Sequence, residues 1–195
     1  MEKVKRLAIF IVIVAIAIFL AWKNLYSQQA LAERVSLQKG FKTTAQERLS
    51  EVSFIFQPSW LPKWDEEEKK EVNELIFQSK DSSIYLTSVS NTDIRQSKGE
   101  DEGSIIVSFE IKNNFNPKGG QYLSCWSVSE QGFTPIPIKV TGYDKNNNLL
   151  DEDFGSVMGT GPEQKFSIYL RAKDLLNSPV KVIFGPLNIV EYVKD

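Results

Sequence analysis

The sequence predicts a mainly β protein, an antiparallel β-sandwich of seven or eight strands, preceded by a single transmembrane helix and a helical connecting segment. Three observations predict it. Leu7 to Trp22, LAIFIVIVAIAIFLAW, is sixteen residues without a charge, a hydroxyl, an amide, a glycine or a proline. Beyond Lys80 the apolar residues recur at every second position, the period of a half-buried strand. Polar clusters rich in Gly, Asn and Pro cut that region into short segments.

The apolar run, with Leu7, Ile11, Ile16, Phe19 and Trp22 along it, is read as the membrane anchor, and the lipid bilayer as a partner. At about 1.5 Å per residue the run spans roughly 24 Å, short of a hydrocarbon core of ~30 Å. Lys5, Arg6 and Lys23 can snorkel from its ends, and Trp22 and Tyr26 suit the interface. A cleaved signal peptide shares the basic start and the apolar run, but Ala15 and Ala17 lie inside that run and Ala30-Leu31-Ala32 lies well beyond it. A buried core helix is the third alternative. Lys3, Lys5 and Arg6 crowd one side against Lys23 close on the other, which predicts a cytoplasmic tail over 1–6 and an extracytoplasmic C-terminal domain at the cell membrane.

Residues 23–80 read as a helical and aromatic connecting segment. Leu31, Val35, Ala45, Leu49 and Val52 form a thin helical stripe from Asn24 onward; Gly40 offers a stop and Thr44-Ala-Gln-Glu47 has the form of a capping box. Phe54, Phe56, Trp60 and Trp64 then crowd around Pro58 and Pro62, where no helix can continue. These aromatics are either an interaction surface or part of the following core, and large side chains dominate cores first. Asp65 to Glu68 reads as the start of a helix to Ser79, with Val72, Leu75 and Ile76 on one face.

The sandwich is placed at 81–195. Its strand candidates are Ser83–Ser90, Ser104–Lys112, Gln121–Ser129, Ile136–Tyr143, Asn148–Phe154, Gln164–Leu170, Val180–Phe184 and Asn188–Val193. Alternation is clearest in Ile105, Val107, Phe109 and Ile111, and again in Phe166, Ile168 and Leu170. Short strands at this spacing are those of an immunoglobulin-like sandwich.

Composition removes several chemistries. The chain has no histidine, hence no imidazole base or ligand, and its one cysteine, Cys125, permits neither an intrachain disulfide nor a cysteine-based zinc site. Net charge is −2 over 195 residues, with no concentrated basic surface for nucleic acid. No cofactor and no catalytic set is expected. Asp144, Asn146 and Asn148, with Asp151 and Asp153 behind them, place oxygens at alternate positions like the opening of a calcium loop. The glycine and the bidentate carboxylate that such a loop needs are replaced by Leu149 and Gly155, so a hairpin turn fits better. Cys125 beside Trp126 reads as a packed thiol, and Glu100, Asp101 and Glu102 as solvated loop carboxylates.

A strand ending in Ile111-Lys-Asn-Asn114, then Val140-Thr-Gly-Tyr-Asp144, a turn, Leu149-Leu150 and Gly161-Pro-Glu-Gln-Lys-Phe166 resembles the bacterial FxLYD and LEA14-like sandwich domains over about residues 104–170. The resemblance implies an extracytoplasmic, non-enzymatic module behind a membrane anchor. The function expected is that of an accessory or structural interaction subunit of a membrane or cell-envelope assembly, its partner another membrane or envelope protein. A ligand-binding or sensing ectodomain and an unrecognised hydrolase are the alternatives. Sequence leaves the oligomeric state open.

Overall fold

The computed structural model describes residues 2–49, 51–62, 69–92, 104–129, 132–150, 155–159 and 165–195. The chain is mainly β, built of antiparallel sheets consistent with a sandwich. Two helices come first, α1 (Glu2–Tyr26) and α2 (Gln28–Ser36), broken at Ser27, whose side chain accepts the N–H of Ala30 as an N-cap. Side chains of α1 are described from Ile11 to Lys23, and every one is exposed. Among the described residues no helix is long and apolar enough to cross a membrane.

Thirteen strands follow among the described residues: β1 (Phe41–Leu49), β2 (Val52–Phe56), β3 (Lys69–Gln78), β4 (Ser82–Thr92), β5 (Ser104–Asn113), β6 (Gly119–Ser124), β7 (Trp126–Ser129), β8 (Gly132–Pro135), β9 (Lys139–Tyr143), β10 (Gly155–Gly159), β11 (Lys165–Arg171), β12 (Val180–Gly185) and β13 (Leu187–Lys194). A one-turn helix, α3 (Ala172–Leu175), joins β11 to β12. Eight strands form one sheet in the order β2-β12-β9-β10-β11-β5-β4-β3; β1-β13-β6 form a second, and β7-β8 a hairpin.

The eight-stranded sheet cannot be flat. Rings from β2, β5, β11 and β12 meet in one cluster, with Phe109 stacked on Phe166 at 4.9 Å and tilted against Phe184 at 5.4 Å. The sheet folds over where β9 and β10 are linked, among the described residues, by the single pair Gly155↔Val140. Gly155 permits this approach, because a Cβ there would lie 2.6 Å from the carbonyl oxygen of Tyr169 and 3.1 Å from Cγ1 of Val140. β2, β12 and β9 thus pack across the core from β11, β5 and β4, and the alternating residues Ile105, Val107, Phe109, Ile111, Phe166, Ile168 and Leu170 are buried as their pattern predicts. One face of the three-stranded sheet also joins this core, through Leu123 and Leu187; the other is covered by α2.

Several expectations are corrected. The connecting segment is largely β: Thr44–Glu47 lies inside β1 rather than capping a helix, and the expected helix up to Ser79 is β3 from Lys69 onward. β1 pairs with β13, β2 with β12 and β3 with β4, so the sheets begin at Phe41 and not at residue 81. Both misread segments contain bulges, between Thr43 and Ala45 in β1 and at Glu71/Glu74 and Leu75/Phe77 in β3, and a bulge destroys the period of two by which a strand is recognised. Asp65 to Glu68, the expected helix start, lie outside the described residues. The candidate Gln121–Ser129 is two strands interrupted at Cys125, and Asn148–Phe154 contributes one isolated bridge, Tyr143↔Leu149, within its described part. β10 stands where a turn is expected. The consecutive strands β3, β4 and β5 are hydrogen-bonded neighbours, a run of three that the seven-strand immunoglobulin arrangement lacks.

Candidate interaction surfaces

The joint between the helices and the sheet is built from one amide and a ring cluster. Gln28, the first residue of α2, accepts the backbone N–H of Phe115 at 2.6 Å and donates its own N–H to the Phe115 carbonyl at 3.0 Å. One side chain satisfies both backbone groups of a residue 87 positions away. Leu31 and Val35, one helical turn apart, then bury against Phe41, Phe115, Tyr122, Val190 and Tyr192. The Arg34 guanidinium stands 5.3 Å from the Phe41 ring centre.

The β5–β6 loop is tied to the same joint. The Tyr192 hydroxyl accepts the N–H of Asn116 at 2.7 Å and donates to its carbonyl at 3.2 Å. Burial pushes the Tyr192 phenol upward, against the Asn116 N–H, which favours its ionised form. Tyr122, across the cluster, has a buried hydroxyl with no hydrogen-bond partner among the described residues. Burial, then the neighbouring Tyr192, raises its phenol far above the usual range, so it stays neutral.

Of the four aromatics singled out in the connecting segment, Phe54 and Phe56 are core residues rather than surface. Trp60, in a short 3₁₀ turn, packs edge-on against Phe56 at 5.5 Å, and Trp64 lies outside the described residues. Their neighbours do form a surface feature. Ser53, Ile55, Gln57 and Trp60 face Glu74, Leu75 and Ile76 across a groove of about 520 Å³ between β2 and β3, the two ends of the folded sheet. Ile55 and Leu75 are exposed there. A second cleft of about 370 Å³ lies between β1, the β7–β8 hairpin and the segment after it, lined by Gln46, Arg48, Ser127, Thr134, Ile136 and Asn188.

Asp144 closes a turn. Its Oδ1 accepts the backbone N–H groups of Asn146 and Asn148, each at 2.8 Å, and its Oδ2 accepts from the Asn148 side chain at 2.9 Å. These bonds, led by the Asn148 side chain, hold the carboxyl below its ordinary pKa. Both carboxylate oxygens of Asp144 are thus engaged by the loop itself. Asp151 and Asp153 lie outside the described residues, as do Glu100, Asp101 and Glu102. Among the described residues no three metal-ligating side chains come together. Cys125 is buried, and burial pushes its thiol up to about 11.

Of the proposed anchor residues, Ile11, Ile16, Phe19 and Trp22 are exposed on α1; the side chain of Leu7 is not among those described. Neither the Gln28–Phe115 joint nor the β2/β3 groove is foreseeable from the sequence. Each joins residues brought together by the fold, and a glutamine beside a phenylalanine carries no local signal. Against protein-family models, curated proteins and solved structures, the chain shows no match.

Proposed function

We propose that the chain is a single-pass membrane protein whose β-domain lies outside the cytoplasm, where it serves without chemistry of its own as an accessory or structural subunit of a membrane or envelope assembly. One observation carries the reading: from Ile11 to Trp22 the side chains of α1 are apolar on every face and all exposed. A helix apolar all round is stable in lipid or under a partner, not in water. The uncharged run within α1, Leu7 to Trp22, extends about 24 Å, and Lys5, Arg6 and Lys23 at its ends can snorkel toward the headgroups. Lys3, Lys5 and Arg6 keep its N-terminal side cytoplasmic.

The FxLYD resemblance points the same way, since Ile111 to Asn113 close β5 and Val140 to Tyr143 belong to β9 ahead of a polar turn. α2 adds a functional consequence. The domain is clamped to the anchor through Gln28 rather than hung on a slack tether, which suits a part that must present one face to a membrane neighbour. The β2/β3 groove favours the second reading, a ligand-binding ectodomain.

Flotation of the full chain with liposomes, followed by alkaline carbonate washing, tests the anchor; recovery in the wash overturns it. Protease accessibility in spheroplasts tests the topology, and protection of 81–195 overturns that. Purification in mild detergent separates the two readings: a subunit brings a partner in fixed ratio, a free ectodomain does not.

A further inference from the structure

We infer that the end of the β-domain from which α1 emerges rests on anionic phospholipid headgroups, held there by a collar of lysines. The inference rests on the reading of α1 as a membrane anchor, and adds to it a contact between the folded domain and the bilayer surface.

The contacts of α2 define this end. Its first residue, Gln28, is bonded to Phe115, at the start of the β5–β6 loop. Past its last residue the chain reaches Gly40, whose carbonyl accepts the N–H of Asp195, while the N–H of Lys194 bonds to the Lys118 carbonyl. The end of β13, the start of β1 and the loop before β6 therefore meet beside α2. The β3–β4 turn belongs here too, because the N–H of Asn114 bonds to the Asp81 carbonyl.

Six lysines lie on these segments: Lys23 at the end of α1, Lys39 in the turn after α2, Lys42 beside Val193, Lys80 in the β3–β4 turn, Lys118 and Lys194. All six are exposed. None has a carboxylate partner among the described residues, and against them stand Glu33, Asp81 and Asp195, with Arg34 as a further cation. The excess is positive, in a protein whose net charge is −2. A domain bound only through its anchor has no need of this separation of charge. Next to a bilayer the arrangement has a physical use: each lysine close to an anionic surface adds attraction that decays within about 10 Å at ordinary salt. One residue, Ser27, separates α1 from α2, so the folded domain follows the anchor without a linker.

The test uses the full chain in nanodiscs of phosphatidylcholine alone or with about a third phosphatidylglycerol, an anionic fraction large enough to set a surface potential. Lysine amines are labelled with a water-soluble succinimidyl ester and read by mass spectrometry. Lys139 and Lys173, at the far end of the strands, are internal references. Labelling of Lys39, Lys42, Lys118 and Lys194 should fall about threefold or more relative to the references in the anionic discs, and recover in ~0.5 M salt. Replacing these four by Glu should leave Lys80, the remaining collar lysine on the domain, labelled alike in both lipids while the chain still enters the discs. Equal labelling in both lipids, or protection that persists in high salt, overturns the headgroup contact and leaves the anchor standing. A chain that enters neither disc overturns the anchor, and this inference with it.

Discussion

The ring of Phe54 on β2 meets the ring of Phe109 on β5 edge-to-face, with centroids 5.7 Å apart, although four strands lie between β2 and β5 in the hydrogen-bonded order. In a flat sheet they would stand about 24 Å apart, at ~4.8 Å per strand. Their contact records that the sheet has doubled back and become both walls of its own core.

Phe109 is therefore expected to dominate stability. It touches Phe54, Phe166 and Phe184 and is 1 % exposed. Phe109→Ala should cost about 3–5 kcal/mol in denaturant unfolding of the detergent-solubilised chain. Combined with Phe54→Ala, the loss should be less than additive, by ~0.5–1.5 kcal/mol of edge-to-face coupling. Strict additivity would mean the two rings do not support each other.

At the corner, Gly155→Ala adds one carbon where the Tyr169 carbonyl oxygen would lie 2.6 Å away. The strands must part there. Destabilisation of about 1–3 kcal/mol is expected, with faster amide exchange at the β10–β11 pairs. An unchanged melting temperature would show that the corner has room to spare.

The Gln28 joint separates two kinds of loss. Gln28→Ala removes both bonds to Phe115 and should cost about 1–3 kcal/mol. Gln28→Glu keeps an acceptor for the Phe115 N–H but leaves its carbonyl without a donor, and should fall between wild type and Ala. Hydrogen exchange at the Phe115 amide reads the difference directly. Indistinguishable exchange in all three proteins would remove Gln28 from the joint.

At Asp144 the depressed pKa sets a direction. Its contribution to the turn is present above the unfolded carboxyl pKa of about 3.9 and is lost as pH falls through the lower folded value. NMR should show the Asn146 and Asn148 amides losing protection only in that acid range, and at no point in Asp144→Ala, where they are unprotected throughout. Millimolar calcium should shift the melting temperature of neither protein. A calcium-dependent rise confined to the wild type would make the loop an ion site.

Cys125 offers an alkaline counterpart. With its folded pKa at about 11 and the unfolded thiol at ~8.5, the thiol's share of stability is intact below pH ~8.5 and lost as pH climbs toward 11. At pH 8 the folded chain should react with a thiol reagent on the order of a hundredfold more slowly than the denatured chain, the ratio of the two thiolate fractions. Equal rates would place the sulfur at the surface.

What sequence conveyed, and what it hid, divides along physical lines. Ile105 to Ile111 and Phe166 to Leu170 announce themselves because one wall of a core requires every second side chain to be apolar, and nothing interrupts them. β1 and β3 stayed hidden because a single extra residue resets that alternation, and in β3 the reset groups Val72, Leu75 and Ile76 at helical spacing. β10 is short and glycine-bounded, so its composition is that of a turn. Among the functional candidates, the exposed apolar face of α1 and the local Asp144 turn were legible because each is complete within a few residues of chain. The joint at Phe115, the groove beside Ile55 and the lysine collar were not. They are assembled from distant positions, none unusual alone.

The strand pairings also fix a timetable. Among the described residues β1 has no hydrogen-bonded neighbour except β13, and β2 none except β12, so the first two of these strands are completed only by the last two. Contacts of such long sequence separation fold slowly. As the chain leaves the ribosome, α1 and the first two strands appear well before anything that can cover them, and VSFIF of β2 must wait, apolar and unpaired, for nearly the whole domain. Folding of this protein is therefore a closing clasp, and the interval before it closes is when a chaperone has most to do.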